Sequence, residues 1–386
     1  MTFVTLFACN KRQRHTQYVP SLIVTHATMT SRDVQEFDAL ISSFAETFGN
    51  AAVAELEGER EFELAFALRR VLDSSDVTAA DHAVEHTYWA LKTKNAWPSP
   101  AWRECYVLAQ LRRCVELLRG GCFGIDAREA QRALDMTIIF GAPSEPLRGL
   151  MQAVESACFA GDDDARRTYV RSAPQSELLF PSEPPSTALG GQCLERVEGT
   201  AITVKEFKRR FYSTDMPVVL ANLGKDWRAL RVWDDLEWWR RFHGHRCVPL
   251  EIGRYSDVSD WREDVMTVDD FVEKFMAPSV REDAQNIAYL AQHPLIDQLV
   301  DLRRDFEIPA LCAKSLLRIN AWMGTAGTIT PCHFDSYDNL LGQVRASEPS
   351  VFYSCVSQPY LGISKKPPCE DVTVAVIRIP YIKERQ

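Results

Sequence analysis

Apolar residues recur at helical spacing through the first half of the chain. Three runs carry such a stripe, and each gives one apolar face to a helix. They are Val34, Phe37, Leu40, Ile41, Phe44 and Phe48; then Trp102, Tyr106, Ala109, Leu111, Val115 and Leu118, which end at Gly120-Gly121; then Leu147, Leu150, Met151, Val154 and Cys158, which follow Ser144-Glu145-Pro146. The pattern predicts a helical N-terminal domain over residues 31–160, and no fixed repeat period is evident.

Short strands and short helices alternate in the second half. Capping residues at Thr203 and Thr267 each open a helix, because a threonine hydroxyl accepts from the N–H groups of a first turn. Five apolar runs read as strands. They are 217–221, 247–252, 287–291, 317–322 and 372–377. The mixture predicts an α+β fold built around a sandwich or jelly roll.

Two segments fit neither domain. Residues 161–191 begin with Gly-Asp-Asp-Asp and continue with four prolines and Gly190-Gly191, a composition typical of a linker. Residues 1–30 contain no acid, whereas Lys11, Arg12 and Arg14 are basic. This leader is either a mitochondrial transit peptide or an over-extended start with Met29 as the true initiator, and we favour the second interpretation.

The composition of the chain limits the classes of partner that it is expected to bind. The chain has 386 residues, of which 46% are hydrophobic and 25% charged, and its formal net charge is -9. An acidic chain is a poor general ligand for nucleic acid, so no direct nucleic-acid partner is expected, and no segment predicts a membrane span. The 11 cysteines form no CxxC pair. We therefore expect reduced thiols and a nuclear or cytoplasmic location.

The segment that carries chemistry is Ile319 to Asp335, which contains Trp-Met-Gly-Thr-Ala-Gly-Thr-Ile-Thr-Pro-Cys-His-Phe-Asp. His333 and Asp335 are two residues apart, and on an extended strand side chains at this spacing point to one face. An imidazole and a carboxylate that converge in this way are two of the three ligands of a non-haem Fe(II) oxygenase centre. A histidine and an aspartate at this spacing, without further signals, are most often two surface residues.

In its setting, this segment, followed by Asn339 and Gln343, resembles the JmjC domain of 2-oxoglutarate oxygenases. More narrowly, the chain is similar to the family of JmjC domain-containing protein 5, also called lysine-specific demethylase 8. The similar segments occur in order from about residue 80 to Val344, and include Pro217-Val-Val-Leu, Val248-Pro-Leu-Glu-Ile-Gly-Arg-Tyr255, Tyr289-Leu-Ala-Gln-His293 and Asn320-Ala-Trp322. The resemblance implies a double-stranded β-helix, which is the jelly roll of JmjC and cupin-like proteins, behind a helical N-terminal domain.

The resemblance also implies roles for individual residues. His333 and Asp335 would bind Fe(II), while Tyr289, Thr330 and Asn339 would bind 2-oxoglutarate, which is consumed with O2. Glu251, Tyr255 and Trp322 would lie beside the substrate, a protein or peptide side chain of arginine or methyl-lysine. A carboxylate and aromatic faces suit either cation, so the sequence leaves both substrates open. His293 is expected to be structural, and Tyr289 and Trp322 have core packing as the alternative.

The resemblance stops after Val344. Where the family has a lysine that pairs with 2-oxoglutarate, this chain has Glu348, which would repel that dicarboxylate, and no histidine follows His333 to serve as the third iron ligand. We therefore predict a partial JmjC domain over residues 192–344 and a non-family tail over 345–386. Such an incomplete double-stranded β-helix would leave strand edges unpaired.

Three functions compete on these grounds. The first is a JmjC-type Fe(II)- and 2-oxoglutarate-dependent protein oxygenase, either an arginyl hydroxylase or a histone lysine demethylase that regulates chromatin, with negligible turnover in this chain. The second is a catalytically inactive binding or scaffold protein. The third is a zinc-binding cupin, which two ligands serve poorly.

Overall fold

A computed structural model describes the chain as two compact units. One unit holds the helices up to Thr168 together with residues 245–248, and the other holds Thr2–Cys9 and the remainder of the chain. The described residues are 2–9, 35, 38–39, 42, 49–59, 61–73, 77–93, 100–120, 125–141, 145–170, 195–214, 216–254, 260–277, 286–325, 328, 338–345, 351–354, 360–363 and 373–377.

The helical unit contains seven helices within the described residues. They are α1 (Asn50–Gly58), α2 (Phe62–Asp73), α3 (Val77–Thr93), α4 (Pro100–Gly120), α5 (Ile125–Phe140), α6 (Glu145–Cys158) and α7 (Ala160–Thr168). Small residues on α3, Ala79, Ala80 and Ala83, are buried in a core that includes Trp102. The Trp102 indole N–H donates to Glu59 at 2.9 Å, which ties α4 to the end of α1. None of the described helices has the length and apolar character that a bilayer span needs.

The predicted helices at 102–118 and 145–158 are confirmed as α4 and α6, and the predicted inward residues Leu147, Leu150, Met151 and Val154 are buried. All six residues of the first predicted stripe lie outside the described residues. Residues 161–168, which the sequence analysis assigned to the linker, are helical instead. Asp162 and Asp163 in the first turn and Arg166 and Arg167 in the last complement the helix dipole.

A buried ion-pair network fixes the α5 side of this unit. Asp135 is 0% exposed, and its carboxylate accepts from the Arg246 guanidinium at 2.6 and 3.0 Å and from the Cys247 backbone N–H at 2.9 Å. The second carboxylate, Glu155, pairs with Arg166 and lies 3.7 Å from Arg246. Two acids therefore balance two guanidiniums, which is the condition under which charges tolerate burial.

The other unit is built on a nine-stranded sheet with the order β2-β3-β11-β8-β1-β7-β6-β4-β5. Its strands are β1 (Thr2–Cys9), β2 (Glu195–Glu198), β3 (Val218–Ala221), β4 (Cys247–Ile252), β5 (Arg262–Thr267), β6 (Ala288–His293), β7 (Leu316–Gly324), β8 (Asp338–Arg345) and β11 (Thr373–Ile377). β9 (Val351–Ser354) and β10 (Tyr360–Ile363) pair in a separate hairpin.

Short helices lie between the strands of this unit. They are α8 (Val204–Arg210), α9 (Ala229–Val232), α10 (Leu236–His243), α11 (Val268–Phe271), which continues as a wider turn to Met276, and α12 (Leu295–Gln298). The predicted caps are confirmed, since Thr203 accepts from the Glu206 N–H and Thr267 from the Asp270 N–H, each at 3.1 Å. The fold class is thus α+β, with every predicted strand present.

The structure gives strands to both ends of the chain. Residues 2–9, within the segment predicted to be a leader or mis-annotated start, pair along their length with β7 and β8. In the tail predicted to be foreign to the family, β11 pairs with β3 and β8. We expected an incomplete double-stranded β-helix to leave strand edges unpaired. In the structure the edges of β7 and β8 are paired, because segments remote in sequence lie beside them.

We predict that Asp135→Ala lowers the free energy of unfolding by about 3–5 kcal/mol, since it leaves the Arg246 charge buried without its main partner. Urea unfolding of the full chain measures this effect. The control is Glu57→Ala, which removes the exposed pair between Glu57 and Arg69 and should cost about 0–1 kcal/mol. Equal losses in the two variants would contradict a dominant role for the buried pair.

Candidate functional site

One face of the sheet is packed and the other is half-open along three neighbouring strands. On β4, burial alternates residue by residue, with Leu250 and Ile252 buried and Glu251 half-buried between them. On β6, Ala288 and Leu290 are buried and Tyr289 is half-buried. On β7, Ala321 and Met323 are buried on either side of the half-buried Trp322. The period of two sorts the aliphatic residues to the core face and the predicted site residues to the other.

The cross-strand register brings these site residues together. Glu251 is paired with Tyr289, and Tyr289 is paired with Gly324. Residues directly opposite on antiparallel strands share a face and have Cβ atoms about 4.5–5.5 Å apart. Trp322, two residues from Gly324, is on that face as well. Glu251, Tyr289 and Trp322, which we call the β4–β7 patch, thus form one surface of a carboxylate and two aromatic rings.

Gly324 is required by the packing of the patch. A Cβ at this position would lie 2.7 Å from Cδ2 of Tyr289 and 3.0 Å from Cγ2 of Thr328, so the Tyr289 ring lies against bare backbone. Beside it, the Thr325 N–H donates to the Ala288 carbonyl at 3.1 Å, and the Thr325 hydroxyl accepts from the Ala288 N–H at 3.2 Å. This pair of bonds joins the end of β7 to β6 and fixes where the ring lies.

Burial raises the pKa of the Glu251 carboxyl, and the negative charge of Glu263 raises it further. The indole of Trp261 acts in the opposite direction and lowers the pKa. Partial desolvation therefore disfavours the ionised carboxylate in the absence of a cation. A guanidinium or ammonium group placed on the patch would reverse this preference, since it stabilises the charged form.

Asn339 is on the same half-open face but at a distance from the patch. Its row across the sheet runs through Ala8 to Arg318, whereas the row of Trp322 runs through Val4 to Gln343. Tyr289 is opposite Gly324, and Gly324 is six residues from Arg318, which is about 20 Å along a strand. The structure thus brings Glu251, Tyr289 and Trp322 together and does not bring Asn339 to them.

Two polar residues on this face were missed by the sequence analysis as site candidates. Asn320 is buried on β7, two residues from Trp322, and Gln343 is half-buried on β8 in the row of Trp322. The signal available in the sequence was the period of two itself, since Asn320 and Trp322 share parity. By contrast, Asp338, at the start of β8, accepts from the Tyr212 hydroxyl at 2.7 Å and anchors that strand.

Four predicted site residues lie outside the described part of the chain. These are the two iron-ligand candidates His333 and Asp335, the 2-oxoglutarate candidate Thr330, and the substrate candidate Tyr255. Within the described residues, no group of three or more His, Cys, Asp and Glu side chains could hold a metal ion. Because Tyr289 and Asn339 are also separated, the described residues do not by themselves fit either Fe(II) or 2-oxoglutarate.

His293 has the structural role expected of it. The ring is buried and pairs with the Gln298 side chain, and burial lowers the pKa of the imidazole to about 4. A neutral imidazole that is hydrogen-bonded in the core joins the end of β6 to α12. It is not a ligand candidate in this arrangement.

The comparisons with known proteins agree on one class of relatives, the cupin-like and jumonji-type proteins. A family model described as a cupin-like domain matches residues 204–374, which extends past Val344, where we placed the end of the resemblance. Lysine-specific demethylase JMJ30 of Arabidopsis thaliana is 31% identical over 309 residues, which cover 72% of this chain and 70% of that protein.

Two further relatives have similar names. Jumonji C domain-containing protein 5 of Drosophila melanogaster is 33% identical over 44% of this chain and 43% of its own length. Lysine-specific demethylase 8 of Xenopus tropicalis is 37% identical over 37% of this chain and 32% of its own length. These two matches span less than half of the relatives concerned.

We predict that Gly324→Ala lowers the free energy of unfolding by about 1–3 kcal/mol, because the new methyl group overlaps the Tyr289 ring. In the double variant with Tyr289→Ala the overlap with the ring is gone and only the contact with Thr328 remains, so the two losses should fall short of additivity by about 1 kcal/mol. Urea unfolding of the four proteins measures this coupling. Gly149→Ala is the control, since nothing lies within 4 Å of its Cβ, and it should be neutral or stabilising. Strict additivity at Gly324 and Tyr289 would contradict the packing.

A second prediction concerns pH. Because the pKa of Glu251 is raised in the folded state, the folded protein holds this proton where the unfolded chain has lost it. The stabilising contribution is complete below the unfolded pKa and is lost as pH rises through the folded pKa. The melting temperature of Glu251→Gln minus that of the unsubstituted chain should therefore increase as pH rises above 4.5, the ordinary pKa of a glutamate.

Glu263→Gln supplies the matched control for this pH dependence. It removes the neighbouring charge that raises the pKa of Glu251, so the pH interval over which stability falls should become narrower. A melting temperature difference between Glu251→Gln and the unsubstituted chain that does not vary with pH would refute the raised pKa.

Proposed function

The chain belongs to the JmjC family of cupin-like proteins, and from this premise we propose that it is a protein oxygenase of the Fe(II)- and 2-oxoglutarate-dependent type whose turnover is negligible. The substrate would be an arginine or methyl-lysine side chain of a protein or peptide. The relatives support this class, since two of them are named lysine-specific demethylases. The observation that carries the proposal is the β4–β7 patch.

The chemistry of the patch suits a cationic side chain. Glu251 offers a carboxyl group whose charged form a cation would stabilise, and Trp322 offers an aromatic ring on the same face. Tyr289, to which the family resemblance gives a role in binding 2-oxoglutarate, lies between them in the patch and offers a second ring. A cation over an aromatic ring gains about 0.5–2 kcal/mol, and a hydrogen bond to a charged group about 1.5–3 kcal/mol. Both a guanidinium and a methylated ammonium meet these conditions.

The patch lies at the carboxyl end of β7, and the chain runs from there directly into the segment with His333 and Asp335. In proteins of this type, bound Fe(II) with 2-oxoglutarate and O2 supplies the oxidising power. The contribution proposed for this chain is orientation: Glu251 holds the positive charge, and the rings of Tyr289 and Trp322 exclude water from its flanks.

A second candidate function is an inactive binding protein, and one observation favours it. No histidine follows His333, and Glu348 is an acid where the family resemblance implies a lysine. Loss of an outer-shell partner alone costs about 10–100-fold in metal affinity or activity, and loss of a primary ligand should cost more. The two functions share the patch and differ only in turnover.

We expect no multiple turnover when the full chain is incubated with Fe(II), 2-oxoglutarate, ascorbate and a peptide that contains arginine or dimethyl-lysine. Release of labelled CO2 from 2-oxoglutarate should be at most stoichiometric, because the ligand set is incomplete, and release equal to that of the His333→Ala variant would support the inactive binding protein instead. Robust turnover that His333→Ala abolishes would show that the tail restores the missing ligand, and the protein would then be an active oxygenase.

Peptide binding tests the recognition half of the proposal separately. Glu251→Gln should weaken binding of the cationic peptide about tenfold or more, because a charge-assisted hydrogen bond is lost. Isothermal titration calorimetry measures this affinity, with the exposed Glu307→Gln as the control. If neither arginine nor dimethyl-lysine peptides bind, or if both variants bind equally well, the patch is not the recognition site.

A further inference from the structure

β7 and β8 cannot bond to each other in this sheet. Both strands are antiparallel to β1, so they run in the same direction with one strand between them. Two strands with a third between them are about 10 Å apart, which is beyond hydrogen-bonding reach. Whatever occupies this gap must therefore satisfy the inner edges of both strands.

The occupant is the N-terminal segment Thr2–Cys9. Its register with β7 runs from Thr2 opposite Gly324 to Cys9 opposite Leu316, and its register with β8 runs from Phe3 opposite Arg345 to Cys9 opposite Asp338. The sequence of the segment, Thr-Phe-Val-Thr-Leu-Phe-Ala-Cys, has no charged residue. Continuous apolar runs of this kind are typical of interior strands that are covered on both faces.

This strand also joins the sheet. In the strand order, β1 lies between a group of four strands that ends at β8 and a group of four that begins at β7. If β1 is removed, no other pairing among the described strands links the two groups. The β4–β7 patch lies in one group and Asn339 in the other, so β1 sets the distance between the two parts of the candidate site.

We propose that Thr2–Cys9 is a complementing strand that occupies a peptide-binding groove between β7 and β8 in the same molecule. The groove recognises an extended, uncharged peptide through main-chain hydrogen bonds on both sides, which is strand addition with two edges instead of one. Edges that would otherwise template aggregation are covered by the chain's own first residues. The inference does not depend on catalysis, and its test is independent of turnover and of cationic-peptide binding.

Thr5→Pro tests the strand in place. Thr5 is opposite Ala321 on one side and Gly342 on the other, and proline there removes a ladder donor from the middle of the strand. Hydrogen exchange of the full chain, read by mass spectrometry, should become about 100-fold faster over residues 319–323 and 340–343. Thr5→Val keeps the N–H and a β-branched side chain, so its exchange should match that of the unsubstituted chain.

Amides of α4 act as an internal reference in the same experiment, because the helical unit does not include β1. Unchanged exchange in α4 distinguishes a local opening of the groove from general unfolding. Faster exchange confined to β7 and β8 supports the proposal. Equal exchange in the Thr5→Pro and Thr5→Val variants overturns it.

A deletion of residues 2–9 tests the groove directly. Adding the peptide of residues 2–9, with two lysines appended for solubility, should restore slow exchange in β7 and β8 and raise the melting temperature. The same peptide with proline at the Thr5 position should do neither. Failure of the unmodified peptide to protect β7 and β8 overturns the groove.

Light scattering tests whether the strand lies in its own molecule. If the unsubstituted chain is a dimer and Thr5→Pro makes it a monomer, the strand is exchanged between copies, which overturns occupancy within one molecule.

Discussion

The candidate site depends on a single constraint, the register in which β4, β6 and β7 pair. Side chains on a strand alternate between faces, so a slip of one residue would carry Tyr289 and Trp322 into the core and bring Leu290 and Met323 out. The register is fixed from both ends. Gly324 admits the Tyr289 ring where any side chain would collide with it, and Thr325 and Ala288 exchange two hydrogen bonds just beyond. The aliphatic core face supplies the rest, since it gains free energy only when Ala288, Leu290, Ala321 and Met323 all face inward.

The arrangement of the strands divides the site into two parts with different origins. The β4–β7 patch is assembled by strands that are adjacent in the sheet and come from one stretch of the chain, residues 247–324. Its chemistry, a carboxylate beside two aromatic rings, suits a cation. Asn339 lies on β8, in the other group of strands. β8 is paired with β11 on one side and with the N-terminal strand β1 on the other. The residues proposed to recognise a cationic substrate are therefore positioned by local pairing, whereas the position of Asn339, proposed to bind the co-substrate, depends on how the gap between β7 and β8 is filled. A change in the filling strand would alter one part of the site and leave the other intact.

Much of the local structure was predictable because its causes are local. The caps at Thr203 and Thr267, the break after Gly120 and the alternation of Cys247–Ile252 each depend on residues within a turn or a strand of one another. What could not be predicted depends on partners far along the chain. Nothing in the sequence near Thr2–Cys9 indicates that these residues pair with strands more than 300 positions away, and an apolar, acid-free segment reads equally well as a leader. The helix at 160–168 was missed because its polar composition resembles that of a linker, and one of its contacts, the pair between Arg166 and Glu155, is made with the preceding helix.

The same distinction explains why the retained motif is weak support for turnover in this chain. Motif residues such as Trp322, Gly324 and Asn339 are kept in sequence, yet their positions in the sheet are decided by pairings that the motif does not contain. A catalytic centre needs its groups held within a fraction of an ångström, and a strand supplied from the opposite end of the chain sets the spacing here. Recognition of a charged side chain is far more tolerant, because a carboxylate and an aromatic face act over several ångströms. Binding of a cationic side chain by the β4–β7 patch is therefore the part of the proposed function that depends least on the rest of the chain.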